Sequence, residues 1–306
     1  MAFVHRQLGL LEASSLVEIV RFSLRARTSL KLIVQEAIEF SDLVMSFRPD
    51  IVHAHYGTMT SFFCAMTTNK PLVITFRGSD LNPAPGDSTL RNRTGHMLSQ
   101  LSALRADSII CVSQQLKDRL WWRKDRTSVI PMGVNLALFR PMPQREVRGA
   151  LGWDSHEKIV LFNAGADPIG KRLDLTEGAV RIAVALIPDT RLVTLRGDVP
   201  PDKMPLYYNA ADCLLMTSDH EGSPNVVKEA IACGLPVVSV EVGDVRDRLE
   251  GVFPSMIIPR DISLLGGAVC QVLESGLRSN GHQRIQELAE ERIAELVLRV
   301  YESVLR

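Results

Sequence analysis

The sequence predicts an α/β protein built from two doubly wound parallel sheets. Its 306 residues suffice for about two domains of ~150 residues each. Short apolar runs rich in β-branched residues alternate with longer amphipathic segments, a pattern typical of buried parallel strands joined by crossover helices. The alternation is interrupted by "RPMPQREVRGALGWDSHEK", residues 140–158, whose proline and charge content indicates a linker with a short helix.

The first half contains four predicted strands. They lie at 50–55, 71–76, 107–113 and 127–132 and follow residues 12–47, for which we predict one or two helices. Four strands are few for a doubly wound domain, so we expect a strand-helix-strand entry unit to be absent or to lie outside this sequence. We predict a short first domain over residues 1–145.

The second half contains five predicted strands, at 158–165, 191–197, 212–218, 236–240 and 255–259. Apolar residues at three-to-four spacing then predict amphipathic helices over 261–277 and 281–306. We predict a second domain over residues 146–282. The predicted final segment, 283–306, is a helix that could pack back towards the first domain.

Composition excludes several function classes. The 35 basic and 35 acidic residues balance, which argues against a nucleic-acid partner. Five scattered cysteines form no CxxC or Cys/His cluster, so neither a disulfide framework nor a zinc site is indicated. No apolar run has the length of a membrane span, and the amino terminus lacks the order of a signal peptide. We expect a cytoplasmic protein.

The segment "MTSDHEGSPNVVKEAIACGLPVVSV", residues 216–240, carries the main functional pattern. It predicts a buried strand, a loop, and a helix that Ser223 caps, that has Pro224 in its first turn and that ends at Gly234. The helix would begin at the carboxyl edge of a parallel sheet, where open α/β sheets bind ligands.

The start of this helix is a predicted anion site. The backbone amides of Ser223, Asn225 and Val226 would point out of the helix, a geometry suited to a diphosphate. A phosphate alone leaves Glu221 and Glu229 unexplained, because carboxylates accept hydrogen bonds from hydroxyls and repel phosphates. A nucleotide sugar has hydroxyls on both sides of its diphosphate. Alternatively, the two glutamates merely favour the helix dipole and face solvent.

The same segment resembles the carboxyl-terminal-domain signature of the retaining glycosyltransferases of family four. The resemblance rests on Glu221, Gly222, Glu229 and Ala230, followed by "CGLPVV". It implies the GT-B fold, in which two Rossmann-like domains face a cleft. It also implies that Glu229 holds the donor ribose, that Glu221 lies near the transferred sugar, and that amides from Gly222 onward bind the diphosphate.

A second family motif is present in part. After the first strand of the second domain, family members have a Gly-Arg pair and, a few residues later, a lysine. In "FNAGADPIGKRLDL", Gly165 matches, Ala166 replaces the arginine, and Lys171 matches the lysine that neutralises the leaving diphosphate. The alternative for Lys171 and Arg172 is a solvated helix start.

The first domain offers a weaker match. In "VITFRGSDLN", residues 73–82, Arg77 replaces a family histidine, whereas Gly78 and Asp80 remain. Either Arg77 contacts the donor or an anionic acceptor and Asp80 binds acceptor or sugar hydroxyls, or the two residues form a loop ion pair. His53 and His55 share one strand face, and with no third ligand nearby a metal site is not indicated.

The tryptophans in "LWWRKDR", residues 120–126, leave two alternatives open. Aromatic rings beside basic residues favour a lipid headgroup region, which predicts peripheral contact with the cytoplasmic face of the inner membrane. The other interpretation is a helix end with one tryptophan buried.

The sequence therefore predicts a metal-independent, retaining hexosyltransferase that moves a sugar from a nucleotide-sugar donor to a saccharide or lipid-linked acceptor. No cofactor is expected, and no Asp-x-Asp tract indicates a metal. The resemblance suggests a role in bacterial cell-surface polysaccharide or lipopolysaccharide assembly. The alternatives are a sugar-nucleotide epimerase of the same architecture, or a degenerate member that binds nucleotide or a partner without turnover.

Overall fold

The structure is a computed structural model that describes residues 2–25, 29–83 and 88–306. The chain folds into two compact units. The first contains residues 1–132 and 290–306, and the second contains residues 133–289. Each unit is built around its own parallel sheet.

The first unit has a four-stranded parallel sheet of order β1-β2-β3-β4. Each strand that the sequence predicted in the first half is found. The elements in chain order are α1 (Ala2–Ala13), α2 (Leu30–Phe47), β1 (Val52–His55), α3 (Thr58–Thr67), β2 (Leu72–Phe76), α4 (Thr89–Arg105), β3 (Ser108–Cys111), α5 (Gln114–Asp118) and β4 (Thr127–Val129). Strand β2 is buried along its whole length, as its uninterrupted apolar run predicts.

The second unit has a five-stranded parallel sheet of order β6-β5-β7-β8-β9, again with every predicted strand present. Its elements are α6 (Gln144–Leu151), β5 (Lys158–Asn163), α7 (Leu173–Leu186), β6 (Thr190–Leu195), α8 (Met204–Ala210), β7 (Cys213–Met216), α9 (Asn225–Ala232), β8 (Val237–Ser239), α10 (Val245–Leu249), β9 (Met256–Ile257), α11 (Ile262–Ser275) and α12 (Gly281–Arg284). Gly234, with φ 71°, ends α9 as predicted.

The boundary between the units lies at residue 132 rather than near 145. Residues 133–142 pack on the second unit through backbone contacts that the sequence does not reveal. The Val134 amide donates to the Leu288 carbonyl at 2.8 Å. The Met142 amide donates to Asn209 Oδ1 at 2.8 Å, and Asn209 Nδ2 donates to the Arg140 carbonyl at 3.0 Å.

The predicted helix over 281–306 is broken. Helix α12 ends at Arg284, a 3-10 turn follows, and α13 (Glu290–Leu305) is a separate helix that belongs to the first unit. The break falls at Ala289, which has the non-helical angles φ −51° and ψ 134° and forms a parallel bridge with Val134. Amphipathic periodicity continues across this point, so it does not report the break.

Candidate functional site

Strand order in the second unit creates a topological switch point. From β5 the chain passes to β6 on one side and, later, to β7 on the other side of β5. The two crossovers therefore leave a crevice between the carboxyl ends of β5 and β7, the usual ligand position in open α/β sheets. The loops that line it are residues 164–172 and 217–224.

Two predicted site residues meet across this switch point. Lys171, in the loop after β5, forms an ion pair with Glu221, in the loop after β7, and both side chains are partly buried. The loops are also joined through their backbones. The Asp219 amide donates to the Gly170 carbonyl at 2.9 Å, and Thr217 Oγ1 donates to the Lys171 carbonyl at 2.9 Å. Residues 50 positions apart thus form one charged site.

Helix α9 begins one residue later than predicted, and Ser223 does not cap it. Pro224 is the N-cap residue, and no side-chain cap bonds to the first turn. The Ser223 hydroxyl instead donates to Asp244 Oδ2 at 2.8 Å. The first-turn amides of Asn225 and Val226 therefore receive no side-chain cap, which leaves a helix N-terminus suited to an anion.

A buried group of charged side chains supports the loop before α9. Lys228 is fully buried and donates to Ser223 Oγ at 2.9 Å. Asp244 is 3% exposed and lies between Ser223 and Arg248, whose Nε is 3.2 Å from Asp244 Oδ2. Burial raises the pKa of the Asp244 carboxyl, although the Lys228 charge opposes this shift. Buried charges are retained only with partners of this kind.

Sequence reasoning missed Lys228 and Asp244. The available signals were a lysine within the buried apolar face of "VVKEAI" and a Gly-Asp turn directly after a predicted strand.

The loop after β8 packs closely against the loop after β7. Gly243 has φ 59°, and a Cβ placed there would lie 2.7 Å from the Gly222 carbonyl oxygen and 3.2 Å from Glu221 Cβ. Only glycine combines this backbone angle with this close approach at little cost. Gly243 therefore helps to define the position of Glu221 and Gly222.

Glu229 lies four residues into α9 and is partly buried. Its Oε2 accepts a hydrogen bond from the Tyr208 hydroxyl at 3.0 Å. Tyr208, in α8, is fully buried and was not predicted as a site residue. Its signal was only an aromatic residue five positions before a strand, in "YNAADC". Sequence reasoning had no means of pairing it with Glu229.

Arg172 is engaged by acidic neighbours and is neither fully solvated nor fully buried. It donates to Asp174 at 2.8 Å and lies 3.3 Å from Asp219 Oδ1. These contacts raise the pKa of its guanidinium, the Asp174 hydrogen bond first among them. The second cation of the loop after β5 is thus directed to carboxylates of its own unit.

Arg77 lies in the first unit, directly after β2. Its guanidinium contacts His55 Nδ1 at 2.9 Å, Gln7 Oε1 at 3.2 Å and the Met132 sulfur at 3.2 Å. Burial lowers the pKa of Arg77 to about 10. The side chain thereby joins α1 to the carboxyl end of β1, and its proposed contact with donor or acceptor stays a prediction.

Asp80 is 1% exposed and accepts hydrogen bonds from backbone amides. The donors are Gly57 at 3.0 Å, Arg77 at 2.9 Å and Gly78 at 2.8 Å. Its contact with Arg77 therefore includes the backbone amide, and the carboxylate ties the loop after β1 to the loop after β2. Burial raises the pKa of Asp80, and the backbone amides oppose that shift. Its proposed role in binding acceptor or sugar hydroxyls stays a prediction.

The histidines of β1 have protein partners. His53 Nδ1 lies 2.6 Å from the Tyr301 hydroxyl of α13, and Nε2 lies 2.7 Å from Thr75 Oγ1. Desolvation, followed by the Arg77 charge, lowers the pKa of His53 to about 3. His55 stacks on His53 with ring centroids 4.0 Å apart. Both rings are therefore neutral at pH 7 and partly buried in the first unit.

The two tryptophans differ in environment. Trp122 is partly buried, and its Nε1 donates to the Gln100 carbonyl at 2.6 Å. Trp121 is 54% exposed and lies beside His96 of α4. Among the helices within the described ranges, none is both long and apolar enough to cross a bilayer.

The chain is a two-unit parallel α/β protein with a charged candidate site at the switch point of its second sheet, beside the start of α9. Comparison with known protein families supports this description of the fold. The model of Glycosyltransferase Family 4 matches residues 3–138, and that of Glycosyl transferases group 1 matches residues 155–275. The chain belongs to the family-four, group 1 glycosyltransferases and has their GT-B fold.

One curated relative and two solved structures of similar fold illustrate the range of the similarity. The glycosyltransferase TuaC of Bacillus subtilis, assigned to teichuronic acid biosynthesis, is 24% identical over 72% of this chain and 60% of its own length. Sucrose-phosphate synthase from Thermosynechococcus elongatus has a TM-score of 0.77 at 21% identity, over 98% of this chain and 92% of that one. Anabaena HepE, solved with UDP and glucose, has a TM-score of 0.74 at 18% identity, over 97% and 89%. The chain spans about three fifths of the length of the curated relatives it matches first.

Proposed function

We propose that this protein transfers a sugar from a nucleotide-sugar donor to a hydroxyl of a saccharide or lipid-linked acceptor, with retention of anomeric configuration. The observation that carries the proposal is the Lys171–Glu221 pair across the switch point, next to the uncapped start of α9. A cation, amides without a side-chain cap and a carboxylate favour a ligand that combines diphosphate and hydroxyl groups. The HepE neighbour, which binds UDP and glucose, supports this ligand class.

Each residue has a proposed role in the transfer. The amides of Asn225 and Val226 bind the diphosphate, and Lys171 neutralises the charge that develops on it as the sugar–oxygen bond breaks. Glu229 accepts hydrogen bonds from the donor ribose, and Glu221 from the transferred sugar. In this proposal the diphosphate replaces Glu221 as the partner of Lys171, and the Glu221 carboxylate accepts hydrogen bonds from sugar hydroxyls. The lysine and the helix start replace a metal ion in this scheme.

The proposed biological setting is the assembly of a cell-surface polysaccharide on the cytoplasmic side of the membrane. The assignment of TuaC to teichuronic acid biosynthesis supports it.

We also propose a peripheral membrane contact through an α4 surface, defined as Leu90, Met97, Leu101, Leu104 and Trp121. All five are exposed, between 41% and 74%. The α4 sequence contains three arginines and no acidic residue, which suits anionic headgroups.

Calorimetric titration of UDP, GDP and ADP into the wild type, Glu229→Gln and Lys171→Ala tests the donor site. We expect one nucleotide to bind the wild type and to bind both variants at least tenfold more weakly. Absence of binding by all three nucleotides would contradict the proposal.

Turnover separates the alternatives. A transferase releases nucleoside diphosphate from the matching nucleotide sugar when acceptor is present, and EDTA leaves the rate unchanged if no metal takes part. An epimerase changes the sugar without releasing the nucleotide. A non-catalytic member binds the nucleotide and does neither.

A further inference from the structure

Tyr208 is placed to control the orientation of Glu229. The two residues lie in α8 and α9, the helices that precede and follow β7. The Tyr208 ring is completely buried, whereas Glu229 is only partly buried. The hydroxyl donates to Glu229 Oε2 at 3.0 Å, so a rigid interior side chain holds an oxygen of a carboxylate that reaches the surface.

The direction of this hydrogen bond is set by the protonation of Tyr208. Burial, and then the negative charge of Glu229, raise the pKa of Tyr208 well above its ordinary value. The hydroxyl therefore keeps its proton and donates to the carboxylate. Hydrogen bonds to an ionised acceptor are stronger and more directional than those between neutral groups.

The position of the Tyr208 hydroxyl is fixed by the packing of α8. The ring lies against Phe139, with centroids 6.1 Å apart. Arg278 donates to the Tyr208 carbonyl at 3.2 Å, and Asn209 donates to the Arg140 carbonyl at 3.0 Å. Side-chain and backbone contacts both hold α8 in place. The Tyr208 hydroxyl therefore has a fixed position and favours the Glu229 rotamer that accepts its hydrogen bond.

We propose that Tyr208 is a positioning residue that orients the Glu229 carboxylate towards the ribose hydroxyls of the donor nucleotide. The inference rests on the proposed function, in which Glu229 binds the ribose. A glutamate side chain has three rotatable bonds, and accepting from two adjacent hydroxyls requires one orientation of its carboxylate. Without the Tyr208 hydrogen bond, ordering the Glu229 side chain on binding costs free energy, and the affinity for the ribose falls.

The test compares a ribose-containing ligand with one that lacks the hydroxyls. UDP and 2′,3′-dideoxy-UDP, or the same pair with the base that the nucleotide screen selects, are titrated into the wild type and Tyr208→Phe. Removal of the hydroxyl should weaken UDP binding about five- to tenfold and change dideoxy-UDP binding less than twofold. Tyr207→Phe is the matched control. That neighbouring ring packs on Trp153 at 5.7 Å, and the variant should bind both ligands like the wild type.

A purely structural role for Tyr208 predicts a different result. Loosening of the unit would weaken both ligands by the same factor, and this outcome, or unchanged UDP binding, would overturn the inference. Tyr208→Phe keeps the buried ring and removes only the hydroxyl, and its unfolding midpoint, measured beside the two affinities, separates a local effect from loss of folding.

Glu229→Gln separates this inference from the proposed function. If the wild type binds no nucleoside diphosphate, the proposed function fails. If Glu229→Gln loses UDP selectively over dideoxy-UDP and Tyr208→Phe does not, the function stands and the positioning role is wrong.

Discussion

Lys171 and Glu221 form an ion pair between the loops that follow β5 and β7. These strands flank the switch point of the second sheet. The pair therefore joins the two loops that would bind the proposed nucleotide-sugar donor.

Lys171→Ala should separate diphosphate binding from nucleoside binding. The proposal places this ammonium on the diphosphate, so UDP affinity should fall about tenfold while uridine affinity stays unchanged. Stability should change by about 1 kcal/mol or less, because the pair is partly exposed to solvent. Titration calorimetry measures both ligands, and Lys203→Ala, an exposed lysine of the same unit, is the control. Equal loss for UDP and uridine would contradict the assignment.

Asp80→Ala should destabilise the first unit. The buried carboxylate accepts from the amides of Gly57, Arg77 and Gly78. Its removal leaves buried donors without that acceptor, at a cost of about 3 kcal/mol. Urea unfolding measures this change. UDP binding by folded Asp80→Ala should remain, since its proposed site lies in the second unit. Lost turnover at unchanged stability would instead support the sugar-binding role that the sequence suggested.

The first unit should lose stability in mild acid through His53. Its pKa falls from 6.5 to about 3 on folding, so between these values the unfolded chain binds a proton that the folded chain does not. Stability attributable to this group is complete above pH 6.5 and decreases as the pH falls towards 3. From pH 6.5 to 5 the loss is about 2 kcal/mol. Urea unfolding of wild type and His53→Gln at both pH values checks this, and the variant should show a shallower dependence.

Gly243→Ala should disturb the loop that holds Glu221. The added Cβ meets the Gly222 carbonyl at 2.7 Å in a backbone conformation with φ 59°, and we expect a loss of about 1–3 kcal/mol together with weaker UDP binding. Gly267→Ala is the contrasting variant. Gly267 lies in α11 with nothing within 4 Å of its added Cβ, so alanine should stabilise by about 0.5–1 kcal/mol. Thermal unfolding compares the two, and equal effects would argue against the loop interpretation.

Leu101→Glu should weaken binding to anionic vesicles if the α4 surface contacts lipid. The added negative charge falls within an exposed apolar stripe whose helix has no other acidic residue. We expect the fraction of protein bound to phosphatidylglycerol vesicles to fall at least fivefold. The wild type should bind only weakly to phosphatidylcholine vesicles. Leu186→Glu, at an exposed leucine of the second unit, should bind like the wild type. Identical binding by both variants would exclude the α4 surface.

The fold was more accessible to sequence reasoning than the site. Strand positions follow from local apolar runs, and all nine predicted strands are present within the described residues. The helix after β7 was also predicted, but its cap was wrong. Ser223 has the right chemistry and position for a cap, yet its hydroxyl is taken by Asp244, a residue 21 positions later. The preference of serine for the N-cap position is outweighed here by the hydrogen bond that the buried Asp244 carboxylate requires.

The sequence by itself determined the alternation of strands and helices and the spacing of Glu221 and Glu229, because these are properties of neighbouring residues. Only the tertiary structure decided which groups meet. Tyr208 reaches Glu229 across 21 positions, and His53 reaches Tyr301 across 248. Such pairs depend on strand order and helix packing, which bring distant segments together and which no local pattern encodes.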